Sequence, residues 1–276
     1  MRSPFERHVR DCEIRVKCAP HAACLECQLK ACCDSSKICY YRNMKKRDNR
    51  AEISELAASE DGVFTSGQAA RFGIPRYALS QSAKAGYIER VGHGAYRLTS
   101  AMDDGLDSLR AVYKLTSPEA FTYERRGAGF DGVAACGATA AYVLDVGDLR
   151  PTPWEIATPT RFNSRREEVH FRTERLAMDD VMWVRGIPVT RPERTISDLV
   201  AADLDLSLVS DVFLDSLRSY GSGPFDISKL VSLLGAKSYQ RLCAASGLEH
   251  GGPLELVRLD ELGHVAIRRV GTSASV

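Results

Sequence analysis

The fold is decided by residues 72–86, which read FGIPRYALSQSAKAG. The opening FGIP supplies a turn and a proline suited to the first position of a helix, and Gly86 supplies a stop, so a helix is predicted from Arg76 to Ala85. At about 100° per residue, the polar side chains collect on one side and small, largely apolar ones on the other. The polar side consists of Arg76, Tyr77, Ser80, Gln81 and Lys84. Such a mixture of donors and acceptors suits base edges and phosphates, so this helix is predicted to enter the major groove of DNA.

The flanking sequence completes a winged helix-turn-helix. Asn49 is a good N-cap for a first helix, and Val63-Phe64 predicts a short strand. Thr65 and Gln68 have the spacing of a capping box, which opens a second helix. After Gly86, two alternating stretches flank Gly92-His93-Gly94, as in a β-hairpin. The order helix, strand, helix, helix, hairpin is the order expected of a winged helix.

Two further parts of this domain are predicted to touch DNA. The start of the second helix offers hydroxyl and amide groups to a phosphate, and the hairpin, or wing, lies over a backbone or in a minor groove. The predicted contacts are Thr65, Ser66 and Gln68 at the helix start, and Arg90, His93 and Arg97 on the wing. The alternative interpretation is a protein–protein module whose polar face is merely solvated.

The charge is distributed unevenly, although the net charge is only +1. Residues 1–50 carry 12 Lys and Arg against 6 Asp and Glu, and residues 45–99 carry 9 against 6, whereas the chain from residue 195 onward carries 7 against 10. A basic front suits contact with nucleic acid. No apolar run approaches the roughly 20 residues that span a bilayer, and the start MRSPFERHVRDCE lacks the apolar stretch of a signal peptide. A cytoplasmic protein without membrane contact is therefore expected.

The 276 residues can hold more than one domain. Beyond the winged helix, helices are predicted over 106–121 and 136–144, and from Pro192 onward, with strands near 154–158, 168–174, 181–185 and 187–190. Residues 204–276 read as helices, the last of them carrying Leu254, Leu256, Leu259 and Leu262. The predicted fold class is α+β: an N-terminal winged helix-turn-helix, a mixed α/β sheet domain and a helical C-terminal cap. The predicted divisions are a Cys-rich extension (1–43), the winged helix (44–100), the sheet domain (101–203) and the helical region (204–276).

A second basic surface is predicted around two of the strands, from Arg161, Arg165, Arg166, Arg172 and Arg175. These side chains could extend a groove along DNA or grip an RNA backbone. The alternative is a solvated sheet edge that charge protects from pairing. Arg194 and Asp198 are spaced i, i+4 on one helix, which favours a local ion pair.

Four stretches of this chain resemble the AbiEi-family antitoxins of bacterial type IV toxin–antitoxin systems. They are residues 44–99, the blocks CGATAAYVL (136–144) and PWEIATP (153–159), and the most telling one, GIPVTRPERTISDL (186–199). The resemblance implies a transcriptional repressor that binds double-stranded DNA at operator repeats in its own promoter. It also implies a neighbouring nucleotidyltransferase-like toxin, countered without a stable complex. The alternatives are an antitoxin that neutralises its toxin by direct contact, and a metal- or redox-sensing regulator.

Seven of the nine cysteines fall within the first 39 residues. Cys18, His21, Cys24 and Cys27 have the spacing of zinc ligands, and Cys24, Cys27 and Cys33 would also fit an iron–sulfur cluster. A second paired knuckle, which would make the zinc signal strong, is missing from the sequence. The family-like sequence begins at Met44, so two other interpretations stand beside a metal site: residues 1–43 are not part of the native protein, or they form an uncoordinated tail. No cofactor is predicted.

Catalysis is not expected from this sequence. A restriction-type nuclease needs an acidic residue two positions before a lysine, and no lysine here has one. A nucleotidyltransferase needs Gly-Ser followed by Asp-x-Asp, but Asp203-Leu204-Asp205 precedes Gly221-Ser222.

Overall fold

The computed structural model describes residues 49–127, 130–164, 166–221, 223, 225–248, 254–259 and 265–269. The described residues all belong to one compact unit. Across these ranges, every helix is too short or too polar to cross a membrane.

The winged helix-turn-helix has the predicted order of elements. It consists of α1 (Asn49–Ser59), β1 (Val63–Thr65), α2 (Ser66–Phe72), α3 (Arg76–Lys84), β2 (Ile88–Gly92) and β3 (Ala95–Leu98). The strands form an antiparallel sheet in the order β1-β3-β2. The capping box at the start of α2 is confirmed, since Gln68 N donates to Thr65 Oγ1 (3.0 Å) and Thr65 N donates to Gln68 Oε1 (2.9 Å). The core of this part is apolar and fully buried, and includes Ile53, Leu56, Phe64, Leu79 and Ile88.

Two helices, α4 (Asp107–Leu115) and α5 (Thr122–Gly127), follow the winged helix. The predicted helix over 106–121 is thus shorter than expected, because Pro118 disfavours the helical conformation in the residue before it. Helix α4 is buried on two sides. Ala111 packs with Val63 and Ala95 of the winged helix, whereas Leu109, Val112 and Tyr113 lie in the core of the sheet domain. One helix therefore contributes to both cores.

The second sheet has five strands: β4 (Ala134–Ala135), β5 (Trp154–Thr158), β6 (Val169–Thr173), β7 (Val181–Val184) and β8 (Ile187–Thr190). Their order is β6-β5-β4-β8-β7. The β5–β6 and β4–β8 pairs are parallel, and the β4–β5 and β7–β8 pairs are antiparallel, so the sheet is mixed, as predicted. Helices α6 (Gly137–Leu144) and α7 (Pro192–Ala201) share the buried core of this sheet, which confirms the α+β class.

The C-terminal part begins as predicted and ends differently. Helices α8 (Leu206–Tyr220), α9 (Ile227–Leu234) and α10 (Ala236–Ala245) are followed by two antiparallel strands, β9 (Leu254–Leu259) and β10 (Val265–Arg269). The predicted helix through Leu254 and Leu262 is therefore wrong, and the helical cap does not extend through 276. Leu254 and Leu256 alternate with Glu255, which is the two-residue period of a strand rather than a helical period.

The turn between β7 and β8 lies against the first half of the chain. Arg110 of α4 donates to the carbonyl of Arg185 (Nη2–O 3.1 Å). Gly186 has a φ of +79° and approaches Asp61 so closely that a Cβ there would collide with the carboxylate. In β7 itself, Trp183 meets the ring of Tyr113 edge-on, and the guanidinium of Arg126 lies 4.6 Å from its ring centroid. The β7–β8 hairpin thus contacts α4, α5 and the turn after α1.

Candidate nucleic-acid interface

Helix α3 separates into two faces as the sequence predicts. Ala78, Leu79 and Ser82 are buried against the rest of the winged helix. The five polar side chains of the other face are all exposed: Arg76, Tyr77, Ser80, Gln81 and Lys84. Tyr77 is the most prominent apolar surface among them, with 61% of its area exposed.

Within the part of the chain that the structure describes, the cations of this face are not neutralised by neighbouring acidic groups. Within the described residues, no carboxylate lies within 4.0 Å of the side-chain nitrogens of Arg76 or Lys84. The hydroxyl of Ser80 donates to the carbonyl of Arg76 (3.3 Å), one turn earlier. The face therefore presents two cations, an amide, a phenol and a hydroxyl to solvent.

The start of α2 is covered, which corrects two of the predicted phosphate contacts. Thr65 and Gln68 are both fully buried. Gln68 Nε2 donates to Glu60 Oε2 and to the carbonyl of Ala120 (both 2.8 Å), and Thr65 Oγ1 donates to the carbonyl of Pro118. The segment between α4 and α5 thus occupies the place that the sequence assigns to a phosphate. Ser66, which is half-buried, is not affected by this correction.

A buried polar cluster beneath this contact escaped the sequence reasoning. The Glu60 carboxylate is fully buried and accepts hydrogen bonds from Lys114 Nζ (2.5 Å), Thr122 Oγ1 (2.7 Å) and Thr122 N (3.0 Å). Burial lowers the pKa of Lys114, and the charge of Glu60 opposes that shift. Since a buried charge without a partner is costly, Glu60 and Lys114 hold the winged helix to α4 and α5. The sequence feature that could have indicated this cluster is Lys114, a charged residue among the apolar residues of α4.

The wing presents two of its three predicted contacts. Arg90 and His93 are exposed, and the guanidinium of Arg90 lies over the ring of Tyr96. Arg97 is different: its side chain is 13% exposed and forms ion pairs with Glu89 and with Asp107 (Nη1–Oδ2 2.8 Å). These carboxylates already occupy the charge that the sequence prediction assigned to a DNA phosphate, so the structure favours a structural role for Arg97. Arg97 links the wing to α4.

The predicted second basic surface is divided by the structure. Arg161 and Arg175 are exposed. Arg166 reaches towards the wing, where its Nη2 donates to the carbonyl of His93 (3.4 Å). Arg172 instead lies between Glu155 (3.7 Å) and Glu174 (3.9 Å), so it contributes less free positive charge to this surface than the prediction assumed.

Some of the predicted site residues lie outside the described residues. They are Arg165 of the basic surface and the candidate metal ligands Cys18, His21, Cys24 and Cys27. In the ranges that the structure does describe, no three His, Cys, Asp or Glu side chains come together in a way that could hold a metal ion.

Two family models match the chain. One, described as "Transcriptional regulator, AbiEi antitoxin", covers residues 51–99, and the other, "AbiEi antitoxin C-terminal domain", covers residues 133–243. Together they span more than half of the 276 residues. The chain belongs to the AbiEi antitoxin family. The resemblance drawn from the sequence is confirmed, and with it the broad role of antitoxin and transcriptional regulator.

This AbiEi-family chain is also similar to a solved structure, the crystal structure of the RV2827C protein from Mycobacterium tuberculosis. The two share 16% sequence identity with a TM-score of 0.45, over 73% of this chain and 77% of the other. Among curated proteins, none matches the chain.

The most telling family block, residues 186–199, is structural in this AbiEi-family protein. The predicted ion pair is present, with Arg194 Nε 2.8 Å from Asp198 Oδ1. Arg194 also pairs with Glu174 and with Asp180 (3.5 Å), which lie at the two ends of the connection between β6 and β7. Burial raises the pKa of Asp198, although Arg194 opposes that shift. These contacts fix α7 against the sheet.

Proposed function

We propose that this AbiEi-family protein is a DNA-binding antitoxin that represses its own operon. Helix α3 would lie in the major groove of operator repeats in the promoter, with the wing over the adjacent backbone. The observation that carries the proposal is the exposed polar face of α3, whose two cations have no carboxylate partner in the described part of the chain. Surface helices commonly present a polar face, but α3 carries no acidic side chain, so the face is purely cationic and neutral.

The side chains of this face are suited to different parts of a duplex. Arg76 matches the two acceptors of a guanine and Gln81 the donor and acceptor of an adenine, both in the major groove. Lys84 is suited to a phosphate, and Tyr77 and Ser80 to the groove wall. We propose the same backbone role for Arg90 and His93 of the wing and for Ser66, since phosphate contacts position a protein without reading sequence. The exposed guanidinium groups of Arg161 and Arg175, with Arg166, would extend this basic surface.

The partner in the cell would be a nucleotidyltransferase-like toxin encoded next to this chain. Membership of the antitoxin family supports this partner. We propose that the antitoxin counters the toxin without binding it stably. Co-expression tests this directly: the antitoxin should restore growth while the two proteins elute separately, and stable co-purification would instead favour neutralisation by contact.

The DNA interface is tested by a mobility-shift titration with the chain's own promoter fragment. Replacing both Arg76 and Gln81 with alanine should abolish specific binding, because the base contacts are lost, while the melting temperature stays unchanged. Arg218→Ala, an exposed arginine on α8, is the matched control and should bind as the unaltered protein does. Full binding by the double variant would show that α3 does not read the operator.

A further inference from the structure

A small cavity lies between α4 and β6 of the sheet domain, and one of its lining residues, Arg166, reaches the tip of the wing. Its volume is about 110 Å³, and its walls come from α4, from β6 and from the loop before β6. The lining residues are Val112, Leu115, Phe162, Ser164, Arg166 and Phe171. Phe162 and Phe171 lie with their ring centroids 4.6 Å apart, and Phe162 is 38% exposed, which places the mouth of the cavity at the surface. The cavity is thus an apolar space with one cation in its wall.

That cation, Arg166, has spare hydrogen-bonding capacity. Among the described residues no carboxylate lies within ion-pair distance of it, and its side chain makes one hydrogen bond, of 3.4 Å, to the carbonyl of His93. Both terminal nitrogens lie 3.3 Å from the position that a Cβ on Gly92 would take. A guanidinium has five N–H donors in a fork that matches a carboxylate. Arg166 therefore joins an apolar cavity to the tip of the wing and can accept an anion.

We propose that this cavity binds a small carboxylate with a compact apolar tail, of about the size of benzoate. One edge of the tail would enter the space between Phe162, Phe171 and Leu115, and the carboxylate would pair with Arg166 at the mouth. The space of about 110 Å³ is smaller than the enclosed apolar cavity of about 150 Å³ that holds a benzene molecule, so the ring would enter it only in part and the rest would project through the open mouth. Ser164, whose Oγ accepts from the backbone N of Arg166 at 3.1 Å, also lines the cavity and can donate its hydroxyl hydrogen to the anion.

Binding of the carboxylate in this cavity would lower the affinity of the protein for DNA. The carboxylate neutralises a cation beside the wing and competes with the carbonyl of His93 for the same guanidinium. The ligand would bind better when Arg166 does not contact the wing. Because coupling between two sites is reciprocal, the ligand then lowers the affinity for DNA by the same factor by which DNA lowers the affinity for the ligand. This half of the inference rests on the proposed DNA-binding function, whereas ligand binding itself does not.

The ligand half is tested with the full chain by a ¹⁵N–¹H titration with benzoate, and with benzamide as its neutral counterpart. Benzoate should shift the resonances of the lining residues and of Gly92 and His93 at concentrations up to about 10 mM, and benzamide should bind much more weakly. Arg166→Gln should weaken benzoate binding at least about ten-fold, because a charge-assisted pair is lost. Arg241→Gln, at an exposed arginine of α10 outside the cavity and outside the proposed DNA-binding surface, should leave benzoate binding unchanged. Absence of shifts with benzoate, or equal binding by Arg166→Gln, would overturn the proposal.

The regulatory half is tested by titrating promoter DNA with and without saturating benzoate. A fall in DNA affinity that Arg166→Gln removes would support the coupling, and unchanged affinity in the presence of bound benzoate would overturn it. Failure of the ligand-free protein to bind its promoter would instead contradict the proposed function. The benzoate titration would then decide the ligand site by itself.

Discussion

Lys114 brings a positive charge into the junction between the winged helix and α4, where 2% of its side chain is exposed. Removing one member of a buried ion pair leaves the other charge without a partner, which costs about 3–5 kcal/mol. We therefore expect Lys114→Met to lower the free energy of unfolding by about that amount in urea. Replacing Glu60 by Gln in the same chain should recover part of the loss, because the stranded carboxylate is removed. Lys237→Met, at an exposed lysine on α10, should change stability by less than about 0.5 kcal/mol, and an equal loss at both sites would refute the role of the pair.

Asp104 predicts a pH dependence of a defined sign. The hydrogen bonds from Arg110 (2.6 Å) lower the pKa of Asp104 below its ordinary value of 3.8. A carboxyl group whose pKa is lowered by folding stabilises the protein above the pKa of the unfolded chain, and this contribution is lost as the pH falls through the folded pKa. Asp104→Asn should therefore cost about 1–2 kcal/mol at pH 7, and the difference should shrink below about pH 4. Urea unfolding at several pH values measures it. A difference that stays constant between about pH 3 and 7 would contradict the assignment.

Helix α2 docks closely on the segment between α4 and α5, and Gly67 makes that approach possible. A Cβ at Gly67 would collide with the backbone carbonyl of Pro118, which cannot swing away as a side chain can. We expect Gly67→Ala to lower the free energy of unfolding by about 1–3 kcal/mol. Gly127 of α5 has open space around it, so Gly127→Ala should be neutral or slightly stabilising, by up to about 1 kcal/mol. Thermal melts of the two variants compare them, and equal melting temperatures would argue against close docking.

The elements of the winged helix could be predicted because their signals are local. The capping box of Thr65 and Gln68 is visible within four residues, and so is the helix α3 between Pro75 and Gly86. The burial of the same Thr65 and Gln68 could not be predicted, because the groups that cover them, such as Pro118 and Ala120, lie about fifty residues further along the chain. Strand β4 could not be predicted, because its two alanines show no alternation of apolar and polar side chains. The exposure of Arg76 and Lys84 on α3 could be predicted, because the helical period within the segment is enough to place both side chains on the face away from the apolar one.

At the scale of the molecule, the winged helix depends on residues beyond its own boundary. Glu60 and Gln68 are buried against Lys114, Thr122 and Ala120. A fragment of residues 44–100 would lose these partners and expose the apolar residues that pack on α4. We expect this fragment to melt broadly or at a much lower temperature than a fragment of residues 44–127, as followed by circular dichroism. Equally cooperative melting of both fragments would show that the winged helix is stable alone.

The two tryptophans of the chain, Trp154 and Trp183, both lie in the five-stranded sheet, and neither lies in the winged helix. Trp183 is the one that meets Tyr113 of α4 and Arg126 of α5. The fluorescence of Trp183 is therefore sensitive to the contact between the β7–β8 hairpin and helices α4 and α5, whereas Trp154 is sensitive to changes within the sheet. A change in tryptophan emission when an oligonucleotide is added would mean that binding alters the packing of the sheet domain, and it would be measured without a dye attached to the protein.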